Sequence, residues 1–254
     1  NNNLDDEELE KIYKIEEDGI KFLERREYDK ALKAFQEVVS KLPNALPAKN
    51  NLSLSYYYLG KMDKAIEIAQ EVIKYEPSNI HANCNMCIYY NKLGINNLLE
   101  RQIRIIRKLN IDNEDYAYKI ADTFGCLNRH KEAYVAYKRL LRHDNQNPQY
   151  IHYAAIAAYN CKKYKEAFTA WKRLKEIDEN NFLSEYYCKL VIDVEDEKKQ
   201  HEPLLYNYQL PKEEIALRIN KIYNFLSLPT KKCKILLKED KEIMDLLYYL
   251  INMC

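Results

Sequence analysis

The chain has 254 residues, only four glycines and seven prolines, and a formal net charge of +1. That length buries a sizeable core, and the shortage of chain breakers favours long helices over strands and turns. The balanced charge excludes a global field that would recruit nucleic acid or an acidic membrane. No apolar run approaches the roughly 20 residues of a membrane span, and no signal-peptide pattern opens the chain. The seven cysteines are odd in number and scattered. They predict a reducing, cytoplasmic setting and not a disulfide framework.

The first predicted element is a helix starting near Leu4. The stretch "NLDDEELEK" gathers acids in its first turn, where they complement the macrodipole. Residues 1–11 therefore extend the first helix of an array that begins at Ile12. From there the chain repeats itself. "EYDKALKAFQEVVSKLPN" (27–44) returns as "KMDKAIEIAQEVIKYEPSN" (61–79), a step of 34. Stepping on by 34 from Ala31 and Ala65 gives Leu99, Ala133 and Ala167. A second column is always small: Gly19, Ser53, Cys87, Ala121, Ala155. A third is mostly aromatic: Phe22, Tyr56, Tyr90, Phe124, Ala158. Two more are Phe35, Ala69, Ile103, Tyr137, Trp171 and Val38, Val72, Ile106, Leu140, Leu174. Five units result: 12–45, 46–79, 80–113, 114–147 and 148–181.

Each unit carries two helical patterns. In the second, Leu52, Tyr56 and Leu59 recur at helical spacing, Gly60 breaks the run, and Ala65, Ile66, Ala69, Val72 and Ile73 form the next stripe before Pro77 ends it. Small side chains in one column let the paired helix approach while the ring three residues later fills the space beside it. The 34-residue period, the small and aromatic columns, Gly60 and Gly94 at the turns, and Pro43 and Pro77 at the unit ends resemble the tetratricopeptide repeat family. The third unit departs from the pattern at Leu99 and Ile111, and the fourth and fifth have Asn145 and Glu179 in place of the proline. The resemblance implies an all-α, right-handed solenoid of tandem helical hairpins that recognises protein.

Beyond the array, residues 182–199 read as a capping helix with Cys188 and Ile192 in its packing columns, turning polar at "DVEDEKKQ". Residues 200–254 form a C-terminal helical segment. Its opening "LLYNYQL", bracketed by Pro203 and Pro211, is predicted to be extended. A helix comes next through Ile215, Ile219, Ile222, Tyr223 and Leu226, and a last one, apolar nearly all round, runs to about Met253. That last helix must be buried against the array or in another subunit.

About 100° from the packing columns each first helix shows another face. The columns there are Glu16, Asn50, Cys84, Tyr118, His152; Ile20, Leu54, Ile88, Asp122, Ile156; and Leu23, Tyr57, Asn91, Gly125, Tyr159. The resemblance places them on the concave groove, where exposed apolar groups mark an interaction site. Leu54, Tyr57, Tyr58, Ile88, Tyr118, Ile156 and Tyr159 would supply apolar contact. Asn50, Asn51 and Asn85 would hold a peptide backbone, and Asp122 and His152 share the face. Some family members grip acidic tails with Lys, Arg and Asn, but these columns hold no Lys or Arg, so that clamp is not carried over.

Three signals point to no chemistry of their own. "CNMC" (84–87) has C-x-x-C spacing, with His81 upstream, but lacks a fourth ligand. His152 has no positioned acid partner for general-base work. "TKKCK" (230–234) sits among interleaved acids, unlike a basic nucleic-acid stripe. The expectation is a non-enzymatic protein- or peptide-binding scaffold with no cofactor, no metal and no membrane partner, with nucleic-acid binding as the last-ranked alternative. The first alternative is a groove filled by the chain's own or a twin subunit's C-terminal segment, giving an autoinhibited scaffold or a homodimer through the C-terminal helices.

Overall fold

The computed structural model describes residues 5–109, 113–179 and 181–226. Ile111, the "TKKCK" stretch and the expected last helix lie outside them. Among the described residues there are twelve helices and no strands: α1 (Asp6–Glu24), α2 (Tyr28–Lys41), α3 (Leu46–Tyr58), α4 (Met62–Tyr75), α5 (Ile80–Lys92), α6 (Asn96–Ile106), α7 (Glu114–Cys126), α8 (His130–Leu140), α9 (Pro148–Asn160), α10 (Tyr164–Ile177), α11 (Phe182–Glu195) and α12 (Lys212–Leu226). The fold is an all-α solenoid of helical hairpins. The chain divides into two compact units, one ending at Arg129 and one starting at His130. In the first, each of α1 to α5 packs on the next, α6 packs on α5, and α7 also packs on α5. In the second, α8, α9, α10 and α11 pack in succession.

The hairpins share one turn. Arg26, Gly60, Gly94, Asn128 and Lys162 all have positive φ, between 55° and 73°, and stand 34 residues apart. Each comes after a first helix and closes it with the same pair of bonds. At Gly60 the amide donates to Tyr57 O (3.0 Å) and the next amide, Lys61, reaches back to Tyr56 O (2.9 Å). The same pair recurs at Arg26 and Glu27, Gly94 and Ile95, Asn128 and Arg129, and Lys162 and Lys163. This is the Schellman closure, which needs a left-handed residue after the helix. Glu197 repeats it after α11, with φ 58°. Starts are also repetitive. Asn79, Asn113, Asn147 and Asn181 cap α5, α7, α9 and α11 by accepting backbone N–H bonds, as short polar side chains do for the unpaired first-turn donors.

Between those turns the apolar columns do the packing. Ala31, Ala65, Ala133 and Ala167 are fully buried, as are Phe35, Ala69, Ile103, Tyr137 and Trp171 and the column from Val38 to Leu174. The small column is small for a steric reason. A Cβ placed on Gly19 would meet the Phe35 ring at 2.9 Å and Ala34 Cβ at 3.2 Å. Ser53 uses the same closeness to donate to Ala65 O (2.7 Å). In α11 the expected packing positions shift. Tyr187 and Val191 are buried whereas Ile192 is 45% exposed, because the chain leaves α11 for a non-helical stretch and supplies no second helix to cover that column.

These constraints set stability effects of opposite sign. A Cβ at Gly60 meets nothing, so Gly60→Ala carries only the left-handed backbone cost, about 1 kcal/mol. Lys162→Gly relieves that same strain and is expected to stabilise by up to about 1 kcal/mol. Gly19→Ala improves helix propensity but pushes on a sealed ring, for a net loss of about 1–2 kcal/mol. Urea denaturation of the three variants measures all of these.

Candidate functional site

In the first unit the predicted contact residues gather on α3, α5 and α7. Tyr58 is 48% exposed and stacks on Tyr28 from α2, with centroids 4.5 Å apart. Tyr57 meets Tyr58 edge-on at 5.2 Å and stacks on Tyr89 at 5.1 Å. Tyr89 is buried and shares a 2.8 Å hydrogen bond with Ser53. Four rings thus run without a break from solvent to core. Asn51, Leu54, Ile88, Tyr118 and Asp122 are half-buried. Burial raises the Asp122 carboxyl above its usual range against the pull of Lys119. It also raises the phenols of Tyr57 and Tyr58.

The asparagines sit differently from the expectation. Asn50 and Asn85 are buried, not displayed. Asn50 Nδ2 donates to Asn79 Oδ1 (3.1 Å), the same oxygen that caps Ala82 N–H at 3.0 Å. That oxygen is an acceptor twice over, which fixes the Asn50 amide and leaves its Oδ1 unbonded. Asn50 therefore ties α3 to the start of α5. Beside it lies a cavity of about 400 Å³, lined among others by Asn51, Glu76, His81 and Tyr116. Cys84 and Cys87 are sealed in α5 and burial pushes both thiols up, Cys84 to about 11, so neither is a ready thiolate.

In the second unit His152, Ile156 and Tyr159, expected on an open face, are all buried. The cause is a stretch of the same chain, which leaves α11 and runs along α9. Asn160 brackets one residue of it: Nδ2 donates to Leu204 O (2.8 Å) and Oδ1 accepts Leu204 N–H (2.7 Å). Tyr187 OH donates to Gln209 O (3.4 Å). Tyr206 stacks on His130 and Tyr137, at 5.9 and 6.0 Å. Tyr208 meets the His152 ring edge-on at 5.2 Å and lies 3.3 Å from Asn181 Nδ2. His201 stacks on Tyr159 at 4.8 Å, and Leu210 is 3% exposed. Projecting columns by 34 residues misses Asn160, Tyr187, His130 and Asn181, because only the chain's own return brings them together. The bracketing Pro203 and Pro211 are the available signal for an extended stretch there.

His152 holds a definite tautomer. Trp171 Nε1–H donates to His152 Nδ1 (3.1 Å), so that nitrogen carries no proton and Nε2–H donates to Asn207 O (2.9 Å). Burial holds the ring's pKa down to about 4 despite the bond to Asn207. Burial also lowers His130 and His201. A histidine titrating near 6.5 when unfolded and near 4 when folded gives full stability above 6.5 and loses it as pH falls through 4. For His152 the loss is roughly 3 kcal/mol. The chain's one tryptophan sits on this imidazole, so Trp171 emission in the folded chain is expected to titrate with a midpoint near pH 4. His152→Gln removes both that titration and its share of the acid destabilisation.

Residues 51–79 match the tetratricopeptide repeat model. No curated protein sequence matches the chain. Among solved structures, TTC0263, a thermophilic TPR protein of Thermus thermophilus, is similar with a TM-score of 0.55 and 14% identity, over 71% of this chain and 98% of that one. YrrB, described as a TPR protein with an unusual peptide-binding site, gives a TM-score of 0.47 and 13% identity, over 67% and 88%. MamA from MSR-1 gives 0.43 and 18%, over 66% and 97%. At such identities the likeness concerns the fold. Residues 51–79 thus match one tetratricopeptide repeat, and the fold is similar to that of a tetratricopeptide repeat protein.

Proposed function

We propose that the chain is a non-enzymatic protein-binding scaffold of a reducing, cytoplasmic setting, whose ligand is a polypeptide segment laid across α3, α5 and α7. The observation that carries this is the run of tyrosine rings from Tyr28 through Tyr58 and Tyr57 to Tyr89, anchored in the core and open at its outer end. Such rings give contact area at small entropic cost, and their phenols reach a backbone. Leu54, Ile88 and Tyr118 widen the apolar surface, and Asn51 and Asp122 supply polar contacts at its edge. The net charge of +1 and the carboxyl at Asp122 argue against a nucleic-acid ligand.

A second reading, self-occupation, is favoured for the other unit by the bonds from Asn160, His152 and Tyr187 to residues 204–209. The two readings concern different units and are compatible. Peptides selected from a random library against the whole chain test the first. Tyr57→Ala with Tyr58→Ala is expected to weaken the selected binders at least tenfold, about 1.4 kcal/mol, with the circular dichroism unchanged. A library whose binders all ignore both substitutions contradicts the reading.

A further inference from the structure

We infer that the face of α9 and α11 is a second peptide site, that His201–Leu210 is its exchangeable resident, and that it takes in trans an extended segment of the pattern Leu-x-Tyr-x-Tyr-x-Leu. The resident lies largely as an extended ligand would. Leu204, Tyr206 and Tyr208 are half-buried and Leu210 is buried, whereas Leu205, Asn207 and Gln209 are exposed. That alternation of two keeps one side of the chain inward, although the run is not fully extended: Asn207 N–H bonds back to Leu205 O (3.0 Å), a tight turn centred on Tyr206. Leu205, an apolar residue, is 73% exposed, so facing direction and not residue type decides which side chains go in.

The bonds divide into two kinds. Asn160 pairs both backbone groups of Leu204, His152 takes the carbonyl of Asn207, and Tyr187 takes that of Gln209. These read main chain and are blind to sequence. The side-chain contacts select. Tyr206 lies against His130 and Tyr137, with its OH 3.2 Å from His130 Nδ1, and Tyr208 reaches His152 and Asn181. Main-chain bonds for grip and alternate side-chain pockets for choice is how extended peptides are recognised on protein surfaces. Residues 201–210 belong to no helix or strand. The resident is held by these contacts and by its short tether to α11. A short tether supplies an effective concentration on the order of millimolar, so a free ligand of the same pattern has to outcompete it.

This second site is separate from the tyrosine surface of the first unit and stands or falls independently, because its probe is the segment itself. A fluorescently labelled peptide HEPLLYNYQL is titrated against the full chain by anisotropy. The Tyr206→Ala, Tyr208→Ala chain, whose resident is weakened, is expected to bind the peptide at least tenfold tighter than the wild type. Adding Asn160→Ala removes that gain. A peptide with both tyrosines replaced by alanine does not bind, and Tyr57→Ala with Tyr58→Ala changes nothing. Binding that is absent in every chain, or equal in all of them, overturns the inference. A second measurement needs no variant. In the wild-type chain the Leu204 amide exchanges with solvent faster in the presence of about 1 mM free peptide, the scale set by the tether. An unaltered exchange rate also overturns the inference.

Discussion

The structure depends first on a turn. After each first helix the chain must reverse within a few residues, and it does so through one left-handed residue whose two neighbouring bonds close the helix end. Glycine does this freely, asparagine at small cost, and arginine, lysine or glutamate only under strain. All five residue types occur in these turns, at Gly60 and Gly94, Asn128, Arg26, Lys162 and Glu197. The geometry is therefore imposed by what the helices bury on either side. Once the turn is fixed, columns 34 residues apart face equivalent neighbours, and one steric solution, small beside large, serves at every level. Gly19 against Phe35 is a tight instance, with less than a methyl group to spare.

That regularity explains how much of the fold is legible in the sequence. Counting by 34 assigns the packing columns, and the structure buries them together, with Phe22 and Tyr90 half-buried at the rim. A column position means the same thing only while both neighbours are present. Ile192 stands one and two repeats beyond the buried Ala158 and Phe124, yet it is 45% exposed because no second helix comes directly after α11. Asn50 departs from its expected place in the groove for a different reason. Its amide is spent on Asn79, and Asn79 is spent on capping α5. A side chain's hydrogen-bond commitments are three-dimensional, and a period of 34 carries no trace of them.

The polar face of the second unit shows how a return of the chain rewrites local chemistry. His152 in an open array would titrate in the ordinary range. Beneath Tyr208 and Asn207, with Trp171 holding Nδ1, it is sealed, neutral and single in tautomer. Neither ring nitrogen has a free lone pair or proton to offer catalysis. A base must be able to gain a proton near working pH, and this one has its pKa held far below it. Burial that makes His152 useless as a base makes it a good rigid donor toward a carbonyl.

The same face bears on why a repeat protein would keep its own segment on a surface suited to others. Asn160 bonds one residue twice, as a neighbouring strand would, and asks nothing of the side chain there. Such a contact cannot discriminate between cis and trans. Discrimination rests with the tyrosines, whose rings meet His130, Tyr137 and His152, and with the tether. Of these only the tether is private to the chain, and it raises local concentration without adding a single contact. An occupant held by its own contacts and a tether can give way to a competitor making the same contacts and leave the hairpins standing, since their stability comes from fully buried helix columns such as Ala133, Leu140, Ala167 and Leu174.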